Sequence, residues 1–395
     1  MTEPSRFDAP LPGLRIGNPI DDVATPALLI DLDLFEHNLA LAASLVASHG
    51  VSLRPHAKAH KCATIAQRQI AAGAVGVCCQ KLAEAFALAG AGVTDIHLSN
   101  ELADARKATL AAQLAAQVKL SVCVDHAESV RQLGLAAAGA GSRIDLLVEV
   151  DIGQNRCGVS TVEAMLALVD EIARHPSLSF RGLQAYHGGL QHVHAWQQRL
   201  ELAQQSAARA AHFVAALEQR GLRGLTVTGG GTGSIEFDVA SGVFTEIQAG
   251  SYALMDRQYG ELEWRDSFRP AHALHLSATI MSTPAADRVV CDAGLKSLTV
   301  DAGLPALARD RNAPALHGWD YAVANDEHGI LRRAPRHSAR EASHEAPHEA
   351  PAWGSQLRLI PGHVDPTVNL HDAYVCHRGG RVEAVWPIEA RGMAW

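Results

Sequence analysis

Short runs rich in Val, Ile and Leu recur through the first two thirds of the chain, at 52–58, 75–79, 95–100, 119–125, 145–151, 183–187, 225–229 and 245–250. Alanine-rich stretches with helical spacing lie between most of them, among them 61–72, 102–117, 162–175 and 194–220. A strand followed by a helix, repeated eight times, predicts an α/β fold with a parallel sheet closed into a (β/α)8 barrel. The competing architecture is a doubly wound sheet, which carries its glycine-rich turn after the first strand. Here such a segment, Thr228–Ser234, follows the seventh strand, and the barrel is preferred.

Beyond about residue 265 the long helical periodicity stops. Strand-like segments take over: HALHLSATIM, RVVCDAG, WDYAVAND, LRLIPGH, DAYVCHR and RVEAVWPI. They predict a second, β-rich domain. The expected division is 26–265 for the barrel, and 1–25 with 266–395 for the β-rich domain. Within the latter, 332–354 is a low-complexity segment containing His337, His344 and His348. It reads as a solvated, partly disordered insertion, with weak metal binding by its histidines as the alternative.

A chain of 395 residues, 48% hydrophobic, can bury a large core and carry one big domain with a smaller one. A formal charge of −8 excludes the basic excess of a nucleic-acid binder and favours small-molecule chemistry. The N-terminus lacks a basic start followed by an apolar run, and no stretch approaches the roughly 20 apolar residues of a membrane span. The expectation is a soluble cytoplasmic protein with neither nucleic-acid nor membrane partners. Seven cysteines without a C-x-x-C pair predict reduced thiols, not a disulfide framework.

Barrel enzymes carry their chemistry at the C-terminal ends of the strands, where this chain places Lys58, Gln80, Asn100, Arg156, Tyr186 and Gly229. Lys58, in RPHAKAHK, is expected to end a short apolar strand among other cationic groups. An amine crowded by like charges loses its proton more easily and becomes a nucleophile for a carbonyl. The bland alternative is a solvated basic loop. The glycine-rich Thr228–Ser234 precedes a brief helix expected at Ile235–Ala240, and glycines let backbone N–H groups approach a phosphate closely. Further on, in Pro361–Asp372, His363 and Asp365 stand two apart. In an extended chain such residues face one side and can bind one ion together.

These segments, with Glu149–Gly158 and Gln184–His192, resemble the D-threonine aldolase and D-serine dehydratase family of pyridoxal-phosphate enzymes. The family's fold is that of bacterial alanine racemase. The resemblance runs from about Thr25 to Gly392, lies nearer the aldolase branch, and implies that Ala27–Asp31 pairs into the β-rich domain. It also implies pyridoxal 5'-phosphate on Lys58, with Gln80 among the cofactor contacts. Arg156 would stand at the cofactor's phenolic oxygen and Tyr186 at its pyridine nitrogen. Gly230, Gly231, Thr232, Gly250, Ser251 and Tyr252 would hold the phosphate, and His192 would serve as general base. His363 and Asp365 would hold a divalent metal near the substrate hydroxyl. The family's dehydratases carry H-x-C, whose thiolate selects zinc. The oxygen ligand here favours a harder ion, Mn²⁺ first and Mg²⁺ second, and with it the aldolase branch.

The implied activity is cleavage of D-threonine-type β-hydroxy-α-D-amino acids to glycine and an aldehyde. The alternatives are a D-serine or 3-hydroxyaspartate dehydratase, then a 3-hydroxyaspartate aldolase, a racemase or a non-catalytic pyridoxal-phosphate carrier. A homodimer is compatible with the resemblance.

Overall fold

The computed structural model describes residues 14–265, 267–308, 316, 318–333 and 350–395, so His337, His344 and His348 lie outside the described residues. These residues divide into two compact units. One holds the residues up to His37, Ala253–Gly260 and Ala271–Arg391; the other holds Asn38–Tyr252, Glu261–Pro270 and Gly392–Trp395. The chain opens in the first unit with β1 (Ala27–Asp31), whose first four residues are fully buried apolar side chains, and with the start of α1 (Leu32–Ser48).

In the second unit strands and helices alternate. After α1 come β2 (Ser52–Leu53), α2 (Ala63–Ala71), β3 (Val77–Cys79), α3 (Leu82–Gly90), β4 (Asp95–Leu98) and α4 (Ala105–Ala115). There follow β5 (Lys119–Val124), α5 (Ala127–Ala140), β6 (Ile144–Glu149), α6 (Val162–Ala173), β7 (Leu178–Ala185) and α7 (Trp196–Gln219). The last elements of the repeat are β8 (Thr226–Gly229), α8 (Ile235–Ala240) and β9 (Glu246–Ile247). Every expected apolar run contains a strand. All the pairings are parallel, in the order β2-β9-β8-β7-β6-β5-β4-β3. A bridge between His56 and Cys78, with Cys78 N–H donating to the Pro55 carbonyl at 2.8 Å, joins the two ends and closes the barrel.

Local signals set the helix ends. Asp104 accepts from Arg106 N at 2.8 Å to start α4, Thr161 accepts from Ala164 N at 3.2 Å to start α6, and Gly141 ends α5 at φ +62°.

The barrel interior is partly polar. His97 is fully enclosed between the Ser121 hydroxyl (2.9 Å) and Gln184 Oε1 (3.1 Å), and Gln248 Nε2 donates to Gln184 Oε1 at 2.7 Å. Burial pushes the His97 imidazole down to about 4, so it is neutral at physiological pH.

The first unit resumes with α9 (Arg257–Gly260) and continues through β10 (Leu274–Ala285), β11 (Arg288–Cys291), β12 (Ala306–Leu307), β13 (Trp319–Ala324) and β14 (Gly329–Arg333). It ends with β15 (Gln356–Ile360), α10 (Val364–Val368), β16 (Ala373–Arg378) and β17 (Arg381–Pro387). The main path of its sheet runs β13-β14-β11-β10-β1-β16-β17, and β15 pairs with both β10 and β12. Ile20, Val23, Ala27, Leu29, Val375 and Val382 form a core beneath it. Of the segment 332–354, Arg332 and Arg333 belong to β14, because the ladder with β11 continues through Arg288 and Arg332. Residues 334–349 lie outside the described residues. Among the described residues no helix is long and apolar enough to cross a membrane.

Candidate active site

Lys58 does not end a strand. β2 stops at Leu53, Pro55 supplies no N–H to the ladder, and Lys58 is half-buried in the 3-10 turn Ala57–Ala59, with its backbone N–H donating to His56 Nδ1 at 3.4 Å. The expected crowd of cations is also charge-compensated. Arg54, 3% exposed, lies between Asp95 (2.7 Å) and Glu246 (2.9 Å), and Lys61 pairs with Glu84. The turn is instead defined by hydrogen bonds to uncharged side chains. His56 Nε2 meets Gln80 Oε1 at 3.2 Å and the Ser99 hydroxyl at 3.1 Å, which brings Gln80 beside the lysine turn.

The glycine segment after β8 and the turn after β9 are built together. Tyr252 N–H donates to Thr232 Oγ1 at 3.0 Å. A Cβ on Gly250 would stand 2.6 Å from the His56 carbonyl oxygen, so this turn packs against the Lys58 segment. A Cβ on Gly231 would stand 2.6 Å from the Gln191 side chain. That side chain accepts from Gly233 N at 2.7 Å and donates to the Ser234 hydroxyl at 2.8 Å. Gly230 takes φ +72°, a conformation that favours glycine. The N–H groups of Gly230, Thr232, Gly250 and Ser251 have no protein acceptor among the described residues, although all four residues are buried. Buried donors left without acceptors cost about 1–3 kcal/mol each, so this cradle fits a phosphate group. Beneath it Asp238 accepts from the Ser234 hydroxyl at 2.6 Å, and burial pushes its carboxyl up to about 7.

Arg156 stands in the loop after β6, which Asp151 shapes by accepting from the N–H groups of Gly153 (2.9 Å) and Asn155 (3.1 Å). Its guanidinium lies 5.6 Å from the centre of the Tyr186 ring, at the end of β7, and 3.8 Å from Glu149 Oε1. His192 ends the 3-10 segment Gly188–His192 and is exposed, while its neighbour Gln191 is buried against the glycine loop.

Sequence reasoning passed over a group of acids at this end of the barrel. Glu101, Cys123 and Glu149 bring their ligating atoms within 4.8 Å of one another, as do Glu101, Asp125 and Cys157. The available signals were slight. Glu101 follows the strand-end Asn100, and Glu149 opens the segment that carries Arg156.

His363 and Asp365 belong to the first unit, and their segment is not the extended chain expected. His363 caps the short helix α10 from an extended conformation, and Asp365 lies in its first turn. The cause is Asp256, distant in sequence, which accepts from Val364 N at 2.9 Å with one oxygen and from Tyr259 N at 2.9 Å with the other. His363 Nδ1 lies 2.6 Å from Asp301 Oδ2. A carboxylate on Nδ1 fixes the tautomer and directs Nε2 to any metal, the usual outer partner of a metal-binding histidine. An imidazole nitrogen and a carboxylate within one turn fit a divalent ion. Asp256 and Asp301 also escaped sequence reasoning, since each acts across a long sequence separation.

Two family models match consecutive parts of the chain: alanine racemase, N-terminal domain, over residues 30–258, and the serine dehydratase domain over residues 273–377. The chain is 48% identical to a D-threonine aldolase of Arthrobacter sp., covering 97% of each chain. It is 36% identical to a 3-hydroxy-D-aspartate aldolase of Paracoccus denitrificans (strain Pd 1222), covering 98% of this chain and 97% of that one. A crystal structure of D-threonine aldolase from Filomicrobium marinum superposes with a TM-score of 0.90 at 42% identity, covering 97% of this chain and 100% of the other. The chain belongs to the D-threonine aldolase and D-serine dehydratase family, on the alanine-racemase-like fold.

Proposed function

We propose that this protein is a carbon–carbon lyase, a pyridoxal-phosphate- and divalent-metal-dependent aldolase that cleaves D-threonine-type β-hydroxy-α-D-amino acids to glycine and an aldehyde. The observation that carries this reading is the 48% identity to a D-threonine aldolase over nearly the whole of both chains. The buried cradle of unsatisfied N–H groups packed against the Lys58 turn supports it independently.

Pyridoxal phosphate, when bound, supplies an electron sink, and a divalent ion supplies Lewis acidity at the substrate hydroxyl. The rest is the work of this chain. Lys58 anchors the cofactor, with Gln80 beside it, and Gly230, Gly231, Thr232, Gly250, Ser251 and Tyr252 hold its phosphate. Arg156 would hold the cofactor's phenolic oxygen, which a guanidinium keeps anionic. Tyr186 would stand at the pyridine nitrogen. His192, exposed and able to move a proton near neutral pH, takes the hydroxyl proton of the substrate. His363 and Asp365 hold the ion, Mn²⁺ before Mg²⁺ because Asp365 is a hard oxygen ligand. The seven free cysteines suit a reducing cytoplasm, and a homodimer follows from the family resemblance.

Incubation of purified protein with D-threonine tests the reading. Glycine and acetaldehyde in equal amounts are expected. Ammonia with a keto acid would identify a dehydratase, and L-allo-threonine, the product of inversion at Cα alone, a racemase. The relative that acts on 3-hydroxy-D-aspartate makes that compound the second substrate to compare, with glyoxylate as the diagnostic product.

A further inference from the structure

Glu149 closes β6 and is 4% exposed, and its side chain faces that of Glu101 from the segment after β4. Oε2 of Glu149 and Oε1 of Glu101 are both buried, and neither has a conventional hydrogen-bond partner. Two ionised carboxylates are acceptors only. Facing each other out of water they repel, and each leaves lone pairs unsatisfied. One proton placed between them removes both costs, because the protonated oxygen donates to the ionised one in a strong charge-assisted bond.

The remaining negative charge has a partner on the mouth side, since Arg156 Nη2 lies 3.8 Å from Glu149 Oε1. The other groups packed around the pair come from every adjoining element. Cys123 and Asp125 come from the end of β5 and the residue beyond it, Cys157 from the loop after β6, and Tyr186, whose ring centre lies 5.6 Å from the Arg156 guanidinium, follows β7. The set also has the donors of a metal site, but the guanidinium already supplies the positive charge on that side.

We propose that Glu101 and Glu149 act as one acid–carboxylate pair sharing a single proton, and that its single negative charge positions Arg156. Neither glutamate touches the reacting atoms; both are positioning residues. The inference rests on the placement of Arg156 at the cofactor's phenolic oxygen in the proposed function. With one proton the pair and Arg156 sum to zero charge. Loss of that proton would leave a buried dianion beside one cation and pull the guanidinium inward. The direction of the Glu149 shift agrees: burial, and then the Glu101 charge, push its carboxyl up to about 8.

Infrared spectra of the full-length protein and of Glu101→Gln and Glu149→Gln test the pair. The wild type is expected to show a protonated-carboxyl band that shifts in D2O and disappears with a midpoint near pH 8. In each single variant the band should disappear at a lower pH than in the wild type, because the repulsion between the two carboxylates is gone and burial alone raises the one that remains. Pyridoxal-phosphate affinity gives the second readout. Glu101→Gln keeps the charge on Glu149, beside Arg156, and should bind within about twofold of wild type. Glu149→Gln leaves the charge on Glu101 and should bind about tenfold more weakly. A band with the wild-type midpoint in both variants, a spectrum flat from about pH 6 to about pH 10, or equal losses of affinity in the two variants would overturn the proposal. The band is read without cofactor, so failure of the wild type to bind pyridoxal phosphate would overturn the proposed function instead.

Discussion

The backbone N–H of Tyr252 donates to Oγ1 of Thr232 across 3.0 Å, so one hydroxyl fixes the turn after β9 against the glycine loop after β8. Both residues are about 1% exposed, and no water competes for the bond. Thr232→Ala should therefore loosen the phosphate cradle and weaken pyridoxal-phosphate binding about fivefold, the worth of one buried hydrogen bond of about 1 kcal/mol. Thr232→Ser should recover most of it. Fluorescence titration of the three proteins checks this, and identical affinities would show that the tie does not shape the cradle.

Lys58 and Lys61 stand three residues apart but in different surroundings. Lys61 is held by Glu84, with both side chains largely buried. Borohydride reduction in the presence of pyridoxal phosphate should place the label on Lys58, read by peptide mass spectrometry. Lys61→Met should still take the label but unfold more easily, by about 1–3 kcal/mol, because the buried Glu84 carboxylate keeps only the backbone N–H groups of Gln80 and Lys81 as donors. A label on Lys61 would reverse the assignment.

Asp301 is expected to matter to the metal without touching it. Its contact with His363 Nδ1, 2.6 Å long, sets which imidazole nitrogen is presented. Loss of such an outer partner weakens metal affinity about 10–100-fold. Isothermal titration with Mn²⁺ of the wild type and Asp301→Ala measures the effect. Equal affinities would mean that His363 needs no orientation.

Replacing Asp365 by cysteine exchanges a hard oxygen for a soft thiolate. Metal preference in Asp365→Cys should move toward Zn²⁺ and D-threonine cleavage with Mn²⁺ should fall. Competition dialysis against both ions reads the preference directly. An unchanged preference would remove Asp365 from the ligand set.

His97 gives a pH dependence whose sign is fixed. Its imidazole titrates near 4 when folded, against about 6.5 in an unfolded chain. Below about pH 6.5 the unfolded state binds more protons, so stability falls as pH drops toward 4 and levels off below it. His97→Gln should flatten this part of the acid limb whatever it does to stability at neutral pH. Urea unfolding at several pH values measures the difference, and parallel curves for the two proteins would contradict it.

The barrel was legible because each strand is a local apolar run and each helix a local periodicity. Ile235–Ala240 and Ala27–Asp31 fall where the sequence indicates. What escaped depends on partners far along the chain. The sequence around His363 reads as extended, and only Asp256, from another part of the unit, turns Val364–Val368 into a helix. The basic stretch at Lys58 reads as a crowd of cations until Asp95, Glu246 and Glu84 are seen to neutralise its neighbours. β14 was missed because its short GILRR run looks like the edge of the low-complexity segment until β11 pairs with it. Glu149 ends β6 and Glu101 follows β4, and no spacing rule connects them.

β1 comes long before both its neighbours in the chain: β10 on one side and β16 on the other, with Leu28 opposite Tyr374. At roughly 5–20 residues per second the ribosome needs on the order of 20–70 s to deliver β16 after β1 has emerged. Until β10 is made, a run of buried apolar side chains, Ala27–Ile30, has no sheet to join. The sheet's central strand precedes both its partners in the chain, so a nascent chain stopped before residue 274 carries an unpaired, sticky strand.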